Sequence, residues 1–301
     1  MEHDLPWDYN ASLASNPDFK VEDIAELRAW VESEDSSVVI PRDISDKMLL
    51  CFHSACGLVL ENTKKCIKTY YSTRDKAPEH FDDRDFAVPL MLESSQVLEC
   101  AVLPEKTPEG YPIIYHGLFN HSPEKYHFNH AVKCLLMTTD KCVYELGPVK
   151  GVVFLFDMRG VKLGHLTRVN LISLGKFFTY IQEGMPLSIK KIYVMNSVPF
   201  FDKVMMLIKP FMKKELISLL SLFPPNTDYE AFHRDVLPKN TLPPHYGGDL
   251  PDISTLSKKN FEKLISMKPY FDAEEKHRYA FSKKSKKRAK VETNFRDLSI
   301  D

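Results

Sequence analysis

The residues best placed to do chemistry in this 301-residue sequence lie in one oily segment, Asn196-Ser197-Val198-Pro199-Phe200-Phe201-Asp202-Lys203-Val204-Met205-Met206-Leu207-Ile208-Lys209-Pro210-Phe211. At about 100° per residue, Phe200, Val204 and Leu207 share a narrow arc of a helix, Phe201 and Ile208 widen it, and Lys209 points away. Pro210 ends that helix. The next one begins near Phe211 with Lys213 and Lys214 in its first turn, the wrong sign for a helix start, so a partner other than the dipole is expected to stabilise them. Anionic lipid headgroups are such a partner. By composition alone the segment also reads as an amphipathic core helix with its lysines in water.

Other constellations carry less. His116, His121, His127 and His130 fall within fifteen residues, yet only His127 and His130 have a helical i, i+3 relation and no H-E-x-x-H pattern accompanies them, so no metal is expected. Asp157 and His165 lie near one strand end without a nucleophile at a strand-to-helix turn, and no G-x-S-x-G elbow occurs. Gly147, Gly151 and Gly160 form no phosphate loop. Six cysteines, at 51, 56, 66, 100, 134 and 142, include no C-x-x-C pair and read as reduced thiols of a reducing compartment. The reading is of a protein that is not an enzyme and needs no cofactor.

The elements that position the oily segment follow from pattern. Ile24, Leu27 and Val31 place a surface helix over 21–33, with acids in its first turn. The stretch from Ser45 to Tyr71 reads as a helix pair broken at Gly57 and at the turn-forming Glu61-Asn62. Pro78 closes it, and a polar connection from Phe81 to Pro89 puts a boundary near residue 90. Beyond, QVLECAV, YPIIYHGL, GVVFLFDM and IKKIYVMN are short runs rich in Val, Ile, Tyr and Phe, bounded by Pro, Gly or charge, and read as strands. GVVFLFD is apolar at successive positions, as a central strand covered on both faces must be. Helices are expected between the strands, over about 129–146 and 166–184, so an α/β layer follows.

Charge is sorted along the chain. The formal net charge is −1 with 44% hydrophobic residues, which allows a large core and gives no positive field to recruit nucleic acid. Residues 1–46 carry twelve acids against Lys20, Arg28 and Arg42, whereas 276–290 carry eight Lys or Arg and no acid. The run Lys283-Lys284-Ser285-Lys286-Lys287-Arg288-Ala289-Lys290 reads first as a solvated tail and second as a membrane-attracted patch. Neither a signal peptide nor a membrane span is apparent. A cytoplasmic monomer, peripheral at endosomal or other internal membranes, is expected.

Three strings together, GVVFLFDMRGV, PLSIKKIYVMNSVPFFDKVMMLIKPFMKKEL and LPPHYGGDLP, resemble the CRAL-TRIO lipid-binding family over about residues 95–250. Residues 21–81 resemble the helical domain that precedes the lipid-binding lobe there. A basic F-L-R-A-x-K style stretch common in that domain is replaced here by Cys51-Phe52-His53-Ser54-Ala55-Cys56. The resemblance implies an all-helical domain over 1–90, a lipid-binding lobe over 91–250 and an extension over 251–301. The lobe is expected to be α/β, a mostly parallel sheet flanked by helices and flooring an apolar pocket, with the helix over about 198–209 as a mobile gate.

The pocket implied is lined by Leu135, Phe154, Phe156, Leu174, Phe178, Ile181, Ile192, Val194, Phe200, Phe201, Val204, Leu207, Ile208 and Phe211. Thr139, Tyr115 and Asn129 either orient a ligand hydroxyl or form ordinary buried hydrogen bonds. A hydrophobic isoprenoid such as a tocopherol or a retinoid is the implied cargo, with phospholipid next. Lys190, Lys209, Lys213 and Lys214 correspond to a basic patch that contacts phosphoinositides in tocopherol-binding relatives. The other reading is a phosphoinositide-sensing trafficking protein without dedicated cargo.

Overall fold

In the computed structural model the described residues are 5–33 and 40–281. The basic run at 283–290 lies outside them. Asp8 caps the first helix, α1 (Tyr9–Ser15), by accepting the Ala11 N–H. Helix α2 (Val21–Ser33) buries Ile24, Leu27 and Val31, as their spacing requires. The expected pair follows as α3 (Asp46–Ala55) and α4 (Leu60–Lys76). The break falls at 56–59, where Gly57 and Leu58 both take positive φ, 66° and 61°; Glu61 and Asn62, expected as a turn, instead form the first turn of α4. Short α5 (Pro78–Phe81) and α6 (Pro89–Val97) lead directly into the sheet.

Among the described residues five strands lie side by side in chain order: β1 (Leu98–Val102), β2 (Ile113–Leu118), β3 (Val152–Asp157), β4 (Ile189–Met195) and β5 (Leu220–Leu222). β1 runs antiparallel to β2, and every other pairing is parallel. Parallel neighbours require long crossovers. These are α7 (Phe128–Leu146), then α8 (Leu163–Leu166) with α9 (Leu171–Thr179) and a π-turn to Gly184, then α10 (Phe201–Ile208) with α11 (Lys214–Ile217). The chain ends its described course in α12 (Tyr229–Asp235), α13 (Ile253–Ser266) and α14 (Lys268–Phe281).

Alternation along the strands divides the core. Val152 and Phe154 join Ile114, Ile192 and Val194 on the face covered by α7, α9 and the amino-terminal helices. Val153 and Leu155 point to the other face, with Ile113, Tyr115 and Met195, under Phe232, Leu242, Tyr246 and Leu256. The uninterrupted apolar run of β3 is thus a strand buried twice.

One buried polar network ties the helical amino-terminal region to the sheet lobe. Arg74 of α4 bonds Asp140 of α7 and the Tyr180 hydroxyl, each at 2.6 Å, and lies 3.3 Å from Glu274 of α14. Arg84 reaches both acids, and Arg278 pairs with Asp82 at 2.7 Å. Three guanidinium groups face three carboxylates, the balance that buried charge requires.

Candidate functional site

On the face of the sheet bearing Phe154 and Val194 lies a cavity of about 300 Å³ that is partly open to solvent. Its floor is made by β2, β3 and β4 with Leu220 of β5. One wall is the face of α7 carrying Phe128, Ala131, Val132 and Leu135; the opposite wall carries Leu174, Phe177, Phe178 and Ile181. Both sets repeat at i, i+3, i+4, i+7, a helical stripe turned toward the same space. Among the described residues no Lys or Arg lines it, and its polar borders are His116, Tyr126, Asp157 and His165.

Those borders are largely occupied. The Asp157 carboxylate is turned to the other face of the sheet and accepts from the Tyr115 and Tyr246 hydroxyls at 3.2 and 2.8 Å, from Asn196 Nδ2 at 2.9 Å and from Arg159 Nε at 2.9 Å. His116 Nδ1 contacts the Cys100 thiol at 3.1 Å, and burial pushes the imidazole down to about 4, so it is neutral at pH 7. His165 is held at the start of α8, where the Lys162 N–H donates to its Nδ1 at 2.9 Å.

Helix α10 closes the space. Phe201, Val204, Leu207 and Ile208 line the cavity, yet no residue of the helix is fully buried. Met206, on the outer side, is 78% exposed, and nearby cavity-lining elements also present exposed Leu163, Leu171 and Ile172. A cover with no fully buried residue, whose outer side carries Met206 beside Asp202 and Lys203, is held more loosely than a core helix.

Of the residues expected to line a pocket, the structure places Leu135, Phe154, Phe156, Leu174, Phe178, Ile181, Ile192, Val194, Phe201, Val204, Leu207 and Ile208 around this cavity. Three lie off its wall. The Thr139 hydroxyl turns back to the Leu136 carbonyl of its own helix at 2.7 Å. Phe200 is the N-cap of α10, since the helix begins one residue after it, and Phe211 packs against Gly175. Tyr115 points to the far face, and Asn129 is absent from the lining.

A second, polar cleft of about 850 Å³ lies between α3 and α4 on one side and the edge at β4 and α11 on the other. It gathers Lys190 and Lys213 with Lys65 and Lys150, two lysines the sequence reading passed over; Lys209 and Lys214 are exposed outside it. Gly151 allows the aliphatic stem of Lys190 to lie across it, where a Cβ would come within 2.4 Å. Lys213 finds a protein partner, Glu183, at 3.0 Å, an exposed pair of small energetic weight. Among the described residues no group of His, Cys, Asp and Glu could hold a metal ion, and no helix is long and apolar enough to cross a membrane.

Comparison with known proteins decides the family. The profile described as CRAL/TRIO domain matches residues 97–248, the whole sheet and its crossovers. The chain belongs to the CRAL-TRIO family. A second profile, described as Pinta-like, UBA domain, matches residues 16–91. This CRAL-TRIO protein is 26% identical over 259 residues to the mouse alpha-tocopherol transfer protein-like protein, and 26% over 257 residues to the human one. Each alignment covers 85% of this chain and 73% of the relative. The crystal structure of Sfh5 shares its fold, with a TM-score of 0.51 and 12% identity, covering 78% of this chain and 90% of the other. Lipid binding and transfer is the function class of CRAL-TRIO proteins.

Proposed function

We propose that this chain carries a tocopherol-like or retinoid-like lipid in the cavity beneath α10 and exchanges it at membranes, without catalysing a reaction on it. The observation that carries the reading is an almost wholly apolar, partly open cavity covered by a helix with no fully buried residue. Affinity is readily supplied: burying about 500 Å² of apolar ligand surface gains roughly 12 kcal/mol at 25 cal/mol/Å², from which association costs of about 4–15 kcal/mol are subtracted. Release is the harder step. An α10 that can transfer Phe201, Val204 and Leu207 from cargo to bilayer lowers the barrier to exchange, with Met206 and Ile172 already facing outward.

Supporting the membrane side, the lysines of the polar cleft suit an anionic phosphoinositide headgroup, each worth about 1 kcal/mol near a charged surface. Replacing Lys65, Lys190 and Lys213 together by Ala is expected to weaken binding to phosphoinositide-containing vesicles by about tenfold or more, while a preloaded lipid stays bound. The same cleft favours a second reading, a phosphoinositide sensor with no dedicated cargo. Native mass spectrometry after solvent extraction separates the two. A stoichiometric apolar passenger supports the carrier; an empty chain whose vesicle binding depends on the headgroup supports the sensor.

A further inference from the structure

The cavity of a carrier must distinguish its cargo from other oily molecules, and its few polar border groups do so most sharply, because a buried polar group left unpaired is costly. His165 is built for that task. The residue is only 5% exposed, and it borders the cavity edge-on to Tyr126, with ring centroids 5.4 Å apart. At its own helix start the ring is clamped: its backbone N–H donates to the Lys162 carbonyl at 2.9 Å, while the Lys162 N–H donates to its Nδ1 at 2.9 Å. A backbone N–H can only donate, so Nδ1 carries no proton, and the longer 3.3 Å approach of Nδ1 to the Lys162 carbonyl is a contact without a hydrogen bond. The proton of the neutral ring therefore sits on Nε2. That atom is buried and has no hydrogen-bond partner, the one such side-chain nitrogen or oxygen among the described residues lining the cavity.

We infer that His165 Nε2–H is the donor that holds the cargo's head, and that the cargo is an otherwise apolar lipid ending in an uncharged hydroxyl or carbonyl oxygen. The inference rests on the carrier reading and narrows it. A buried donor left without an acceptor is unfavourable, and an oxygen in reach removes that cost, whereas a plain hydrocarbon cannot. An anionic head is disfavoured because no Lys or Arg among the described residues lines the space and burial holds both bordering histidines neutral. Alcohols, aldehydes and ketones are thus favoured over fatty acids and phospholipids.

The test uses the full chain and three matched probes at pH 7: retinol, its 15-deoxy hydrocarbon and retinoic acid, competed pairwise and read by native mass spectrometry. The parent is expected to prefer the alcohol over the hydrocarbon by about tenfold, and over the acid by at least as much. His165→Asn keeps an acceptor for the Lys162 N–H and lacks a donor at the Nε2 position, so it is expected to bind both neutral probes nearly equally. His165→Gln, which can place an N–H there, is expected to restore part of the preference. If the parent takes up alcohol and hydrocarbon equally, or if His165→Asn keeps the parent's preference, the anchor is wrong and the carrier stands. If the parent takes up none of the three, the carrier reading itself falls. Melting of the unloaded variants separates a lost donor from a lost fold.

Discussion

Residue by residue, the cavity is made of side chains whose roles differ in how visible they are in sequence. Val204, Leu207 and Ile208 announce themselves through helical stepping. Phe200 belongs to the same arc on paper, but the helix starts after it, and no spacing rule fixes a helix start to one residue. Thr139 and His165 are decided by hydrogen bonds to their own backbone, which need coordinates. His116 offers a titration that checks the dryness of the site. Its native pKa is pushed to about 4 by burial, below the unfolded value near 6.5, so the unfolded chain takes up the proton first as pH falls. The stability due to its neutral form is present above about pH 6.5, is lost as pH falls toward 4, and loses nothing more below that. Urea unfolding is expected to show the parent losing roughly 2 kcal/mol more than His116→Phe between pH 7 and 5. Equal losses would mean that water reaches the ring.

At the level of elements, the fold depends on close approaches that a sequence does not display. Gly184, at the end of the π-turn, lies against the backbone of α4, where an added Cβ would sit 2.9 Å from the Tyr70 nitrogen. Gly184→Ala is therefore expected to destabilise the chain by about 1–3 kcal/mol through forced separation of α4 from the sheet lobe, measurable as a lower urea midpoint. Helix α10 invites the opposite kind of change. Met206 faces away from the cavity, so Met206→Asp is expected to leave a loaded lipid in place and to slow its transfer to vesicles; unchanged transfer would mean that the outer face of α10 does not meet the membrane. The four long strands were legible as β-branched and aromatic runs. β5, only Leu220–Leu222 and half exposed, carries too few residues for any period to show.

Across the whole molecule, the helical amino-terminal region, the sheet lobe and α14 are locked by Arg74, Arg84, Arg278 and their acids. Arg74 and Asp140 are sixty-six positions apart in the chain, and nothing in spacing pairs them. Asp140→Asn leaves two guanidinium groups short of a buried counter-charge and is expected to cost about 3–5 kcal/mol of stability in denaturant unfolding. The α/β class and the family strings were readable because both rest on local pattern. Where the cavity lies, and which lysines share the cleft with Lys190, required the crossovers to be folded back over the sheet.

On the carrier reading, α10 covers a space occupied by a lipid. Val204 is the direct probe, because its side chain points into that space from the middle of the helix. Native mass spectra of the parent and of Val204→Asp, each exposed to retinol, are expected to show one bound molecule per parent chain and none on the variant, which places a carboxylate against the cargo. The same occupancy in both would mean that α10 does not cover the bound lipid.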